Sequence, residues 1–148
     1  MAPNYAIGRA HGAKAQVETF LMSNIVPQLP DLNRGPWKEL EQRIANDYLD
    51  DYLELWVITG PIYSARSESL PSKVTIPSAF FKIVVDVVDT GNVRVLAFVM
   101  PQQVQDEKLK AYLVSVDMIE AETGLDFFSL LEQQAEDELE AGYAEREW

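Results

Sequence analysis

Leu21-Met22-Ser23-Asn24-Ile25-Val26-Pro27-Gln28, running into Asp31-Leu32-Asn33-Arg34-Gly35-Pro36-Trp37-Lys38-Glu39-Leu40-Glu41, carries most of the information in this chain. Its second half opens the clearest helix in the sequence. Trp37, Leu40, Ile44 and Tyr48 recur at helical spacing, and Lys38, Glu39, Gln42 and Arg43 fill the other faces. Pro36 is tolerated there because first-turn amides have no intrahelical partner to lose. Asp31 or Asn33 is placed to cap that helix, and Pro27, Pro30 and Asp31 mark a loop ahead of it. Further towards the N-terminus, Met1 to Gly12 contains Pro3, Gly8 and Gly12 and reads as irregular, while Glu18 to Met22 reads as short and partly buried.

Beyond Glu54 the pattern turns to strands. Leu55 to Thr59 is a β-rich run stopped by Gly60-Pro61, and Lys73 to Pro77 is a short extended piece. Phe80 to Val88 and Val93 to Met100 are two strands joined through the hairpin signal Asp89-Thr90-Gly91-Asn92. Their long apolar runs imply burial on both faces. Val116 to Thr123 reads as a helix ended by Gly124, and Phe127 and Phe128 dock near the start of a last helix from about Ser129. A helix, then strands, then helices, without βαβ alternation, is an α+β arrangement.

With 148 residues, 47% of them hydrophobic, the chain has material for one core and reads as a single domain over 1–148. The absence of cysteine excludes a disulfide framework and a thiolate metal site. No apolar stretch approaches the length of a membrane span. The formal net charge of −12 argues against tight, salt-resistant binding to phosphate backbones. That charge is unevenly placed. Up to Arg43 the bases Arg9, Lys14, Arg34, Lys38 and Arg43 slightly outweigh Glu18, Asp31, Glu39 and Glu41. The acidic excess lies between Asp47 and Glu54 and in the tail from Glu132 to Glu147, where a solvated helix face is the ordinary explanation.

Taken in order, these blocks resemble the DNA/RNA non-specific endonucleases of the ββα-metal (His-Me finger) superfamily. Their pattern runs Asp-Arg-Gly-His-Met-Ala-Pro, a spacer, Ser-Asn-Ile-x-Pro-Gln, then Leu-Asn-x-Gly-x-Trp-x-x-Leu-Glu. Met1-Ala2-Pro3, Ser23 to Gln28 and Leu32 to Glu41 match it, as do Trp56 to Pro61, Ile76 to Lys82, Val114 to Glu120 and Thr123 to Phe128 further on. Several ordered motifs at compatible spacing are specific where one alone is not. Residues beyond Gln134 match nothing in the pattern. The resemblance implies a mixed sheet flanked by helices with the family's N-terminal strands missing, because Met1 falls directly after the position of the family's catalytic histidine. It also implies a magnesium or manganese ion and hydrolysis of DNA and RNA without sequence preference.

Asn33 on its own pattern reads first as a helix cap; the resemblance places the family's metal-binding asparagine there. One hard divalent cation keeps several waters, so a single amide oxygen suffices as the direct protein ligand. Glu41 follows eight residues later, about 12 Å along the axis if one helix ran through both. It therefore suits an outer-shell role holding a metal-bound water, in agreement with the family's indirectly catalytic glutamate. A salt bridge to Lys38 or Arg43 is the plainer alternative. Asn24 matches a catalytic-site position and Gln28 a position beside the substrate, though each equally suits tying down a turn. Arg34 and Arg43 are candidate phosphate contacts. His11, the single histidine, lies ten residues after Met1, whereas the family's base directly precedes the matching methionine, and it reads as a solvent-facing loop residue.

Two hypotheses follow. The chain is the C-terminal part of a sugar-non-specific nuclease, inactive as it stands for want of its general base, or it is a non-catalytic relative that keeps a metal or phosphate pocket. Codons for Asp-Arg-Gly-His in frame upstream of Met1 favour the first. A sheet short of strands also leaves an exposed edge through which two copies can pair.

Overall fold

The alternating apolar residues of Phe80 to Val85 lie at the centre of the molecule, buried from both sides. A computed structural model describes residues 1–48, 55–88, 92–106 and 108–144. The hairpin turn Asp89-Thr90-Gly91, the acidic run Asp50, Asp51 and Glu54, and Glu145 and Glu147 of the tail lie outside these described residues. Among them the order is α1 (Asn4–Glu18), α2 (Pro30–Arg34), α3 (Pro36–Arg43), β1 (Leu55–Ile62), β2 (Ala79–Val88), β3 (Asn92–Pro101), β4 (Leu113–Val114), α4 (Val116–Thr123) and α5 (Gln133–Glu140). The expected α+β arrangement is present.

The strands form an antiparallel sheet in the order β1-β2-β3-β4. Ile58 faces Ile83 across the first ladder, and Ile83 faces Ala97 across the second. Because side chains alternate across a strand, β2 feeds two cores. Phe80 and Val84 pack with Leu96, Phe98 and Met100 of β3 against Leu32, Trp37, Leu40 and Ile44. Phe81, Ile83 and Val85 pack on the opposite face against Val116 and Ile119 of α4 and against Phe127 and Phe128. Trp37, Leu40, Ile44 and Tyr48 are all buried, as their spacing predicts, although the helix widens into a π-helical turn over Ile44–Tyr48.

Several expectations are corrected. Met1 to Gly12 is mostly helical, not irregular: α1 runs from Asn4 to Glu18 with Gly12 at φ 81°. Asn4 Nδ2 donates to the Gln16 carbonyl (3.3 Å) and to Thr19 Oγ1 (3.1 Å), and Gln16 Nε2 donates to Asn4 Oδ1 (2.9 Å). A straight helix would hold residues 4 and 16 roughly 18 Å apart, so α1 is two short helices folded back on each other at Gly12. Its left-handed backbone there suits glycine. Phe20, Leu21 and Met22 are exposed, not partly buried, because the chain leaves α1 through turns that face away from both cores.

Pro30 and Asp31 belong to a helix of their own rather than a loop, with Pro30 at its first position, where a missing N–H costs nothing. Asn33 lies inside that helix, and the residue capping α3 is Gly35, so neither Asp31 nor Asn33 caps it. β1 continues through Gly60-Pro61 to Ile62. An edge strand has no outward ladder bond for the proline to lose, and Gly60 makes room for a ring: a Cβ there would lie 2.7 Å from Phe81 Cε1. Lys73 to Pro77 forms a single bridge, Ser69 to Thr75, around a tight turn with Lys73 at φ 63°. The last helix starts at Gln133 rather than near Ser129. α4 is as read, with Ser115 Oγ accepting from Met118 N–H (3.3 Å) and Gly124 closing it at φ 69°.

Candidate active site

The Asn33 side chain projects from α2, a helix started by Pro30 and anchored by the fully buried Leu32. Its Nδ2 donates to Gln28 Oε1 at 2.6 Å. That bond fixes the orientation of the amide and leaves Asn33 Oδ1 without a hydrogen-bond partner among the described residues. Gln28 is in turn partly buried, with its Nε2 also unpartnered. The Gln28 segment is held from the sheet by Gln102, whose Nε2 donates to the Pro27 carbonyl (2.8 Å) and whose Oε1 accepts from Leu29 N–H (2.8 Å). An exposed, oriented amide oxygen on a rigid support is a suitable donor for a hard cation.

Glu41 sits one turn after Trp37 on α3, and Trp37 Nε1 donates to Glu41 Oε1 at 2.9 Å. Below them lies Lys82, in the middle of β2 and fully buried. The sheet's alternation puts Lys82 on the same face as Phe80 and Val84, directly under α3. Its Nζ is 3.9 Å from Glu41 Oε1 and 4.4 Å from the centroid of the Trp37 ring, and it has no hydrogen bond. The ammonium is thus stabilised by a carboxylate and an aromatic face rather than by water. Burial lowers Lys82 to about 8 against the opposing pull of Glu41, and burial raises the Glu41 carboxyl against the opposing pull of Lys82. Both shifts show how strongly the pair is withdrawn from solvent. Lys82 was read only as part of a strand motif; a lysine in the middle of an otherwise apolar run was the available signal that it has a buried partner.

Glu41 and Lys82 open onto an apolar cavity of about 260 Å³ between α1 and β1, lined by Ala6, Ile7, Ile44 and Val57 among others. The first residues of the chain pass this place. The α-amino group of Met1 is lowered by burial and by Lys82, and raised by Glu41. Asn24 holds that segment: its Oδ1 accepts from Ala2 N–H (2.5 Å) and its Nδ2 donates to the carbonyls of Ala2 and Thr19 (both 2.9 Å).

The structure therefore pairs Gln28 with Asn33, and Glu41 with Trp37 and Lys82, while Asn24 tethers backbone. No hydrogen bond joins Asn33 to Glu41 among the described residues. Of the two alternatives for Glu41, the salt bridge to Lys38 or Arg43 is not the one formed. Arg43 pairs with Glu39 (2.9 Å), and Arg34 borders a surface groove with Lys38 and Glu39. His11 is exposed on α1, in helix rather than loop.

Residues 2–134 match the DNA/RNA non-specific endonuclease family. The chain belongs to that family. A nuclease of Nostoc sp. is 39% identical over 121 residues, spanning 75% of this chain and 43% of the relative. Mitochondrial endonuclease G of Homo sapiens is 32% identical over 127 residues, spanning 77% of this chain and 42% of the relative. The crystal structure of the EndoG/EndoGI complex, described as showing a mechanism of EndoG inhibition, superposes with a TM-score of 0.72 at 28% identity, over 85% of this chain and 56% of that one. This endonuclease-family chain thus spans about two fifths of the length of the two nucleases and just over half of the solved chain. The family suggests a divalent metal and nucleic-acid substrates, and its match stops at Gln134, where the sequence pattern also ends.

Proposed function

We propose that this chain provides the metal-holding part of a magnesium-dependent endonuclease (manganese substituting) that hydrolyses phosphodiester bonds of DNA and RNA without sequence preference. The observation that carries the reading is the exposed amide of Asn33, held by Gln28 through Nδ2 so that Oδ1 is left for another ligand, in the segment where the resemblance places the family's metal-binding asparagine. A divalent cation held there supplies charge stabilisation at the phosphate oxygens. Glu41, restrained by Trp37 and Lys82, is a rigid acceptor for a water of the ion's shell. Arg34 borders a solvent-open groove where a phosphate can approach; Arg43 pairs with Glu39, which lines it.

The same reading makes the chain a poor catalyst by itself. Activating water near neutral pH calls for a base within hydrogen-bond reach, and the only histidine, His11, is exposed on α1. In the family pattern the base directly precedes the position of Met1. Asn24 tethers the Met1–Ala2 segment next to Glu41 and Lys82.

Manganese titration followed by NMR tests the metal assignment locally. Paramagnetic broadening is expected at the Gln28 side-chain amide and at the backbone amides of Leu32 to Arg34, and Asn33→Ala should remove it. Equal broadening in the variant would take Asn33 out of the site.

A further inference from the structure

Five carboxylates converge where α5 meets α4, away from Asn33 and Glu41. One oxygen each from Asp117, Glu120 and Glu140 lie within 4.8 Å of one another, and so do those of Asp126, Glu136 and Glu140. Glu140 is common to both groups. It is only 7% exposed, and its Oε1 has no hydrogen-bond partner among the described residues. Two of the other acids have one donor each: Glu120 Oε1 accepts from Phe127 N–H (2.7 Å), and Glu136 Oε2 accepts from Gln133 Nε2 (3.3 Å). None of the five forms a salt bridge among the described residues.

This arrangement is costly without a cation. A buried carboxylate lacking a partner bears its full desolvation cost. Glu140 is also the last residue of α5, where the helix carbonyls add negative potential, and no basic side chain lies in that turn. Burial first, then Glu120, Glu136, Asp117 and Asp126, push the Glu140 carboxyl up to about 7.

The ligand set indicates which cation would relieve it. Calcium takes about six to eight oxygens, whereas magnesium keeps several of its waters and uses one or two carboxylates. Five carboxylates, in two groups whose oxygens lie within 4.8 Å of one another, suit the larger ion. We propose that Glu140, with Asp117, Glu120, Asp126 and Glu136, binds a calcium ion that ties α5 to α4. An eight-residue helix is marginal alone, and Ala144 just beyond it packs on the α3-side core, so the ion couples the acidic C-terminal segment to the folded domain. α4 packs on the face of the sheet opposite α3, so this site is separate from Asn33 and Glu41 and does not depend on the reading of Asn33.

Calorimetric titration of the full chain with calcium chloride, alongside melting with and without calcium, tests the proposal. The expected result is one calcium per chain and a melting temperature that rises with calcium. Glu140→Gln, which keeps shape and removes repulsion, should weaken binding at least tenfold and abolish the rise. Asp117→Asn should weaken binding as well, and Asn33→Ala should leave it intact. The proposal is overturned if the wild-type chain binds no calcium, if Glu140→Gln and Asp117→Asn both bind within twofold of wild type, or if Asn33→Ala alone removes the binding.

Discussion

Lys82 has no exposed surface, and its ammonium lies 3.9 Å from a Glu41 oxygen and 4.4 Å from the centroid of the Trp37 ring. Its proton is held less tightly in the folded chain, at about 8 against 10.5 for an ordinary lysine. Between those values the unfolded chain binds more protons than the folded one, so the Lys82 contribution to stability rises with pH over that interval and falls away as pH drops through 8. A difference of that size is worth about 3 kcal/mol. Urea unfolding at pH 8 and pH 10 should therefore show wild type gaining stability relative to Lys82→Met. Identical pH dependence in the two proteins would mean that Lys82 does not titrate as its burial implies.

Among the elements, β1 and β2 show most directly how packing selects residues. Gly60 stands opposite Phe81, and a methyl group there would meet the ring edge at 2.7 Å. Gly60→Ala is expected to cost about 1–3 kcal/mol through overpacking, read as a lower urea midpoint with an unchanged slope. No loss of stability would mean that the Phe81 ring moves aside freely. The same pair explains why Gly60-Pro61 did not end the strand. Turn residues are legible locally, whereas tolerance of a glycine by a neighbouring ring depends on which strand lies alongside. The helical spacing from Trp37 to Tyr48, the apolar runs of β2 and β3, and the Ser115 and Gly124 boundaries of α4 were legible because each follows from local pattern. α1 was not, since its hairpin at Gly12 rests on contacts between Asn4, Gln16 and Thr19 twelve and more residues apart. In the candidate site, Asn33, Glu41 and Gln28 are named by an ordered motif. That Gln28 pairs with Asn33, and Lys82 with Glu41, follows only from the placing of α2 and β2.

For the whole molecule, the sheet and the charge distribution set the behaviour. β1 bonds to β2 on one side only among the described residues, and Trp56 and Val57 on it are 60% and 39% exposed. An open, apolar edge templates pairing with a second copy, and the net charge of −12 opposes that association at low salt. Sedimentation should show dimer growing with protein concentration and with salt, and Trp56→Lys should suppress it. A monodisperse wild-type monomer over the same range would exclude pairing through this edge.

The central proposal is that Asn33 and Glu41 hold a nuclease's metal, while His11, the single histidine of residues 1–148, does not serve as its base. General-base assistance contributes roughly a hundred- to ten-thousand-fold. Plasmid nicking with magnesium tests this most directly. Residues 1–148 should cut near background, and cutting should appear when a segment bearing Asp-Arg-Gly-His is joined ahead of Met1. Robust cleavage by residues 1–148 alone, abolished by His11→Ala, would contradict the account and make His11 the base.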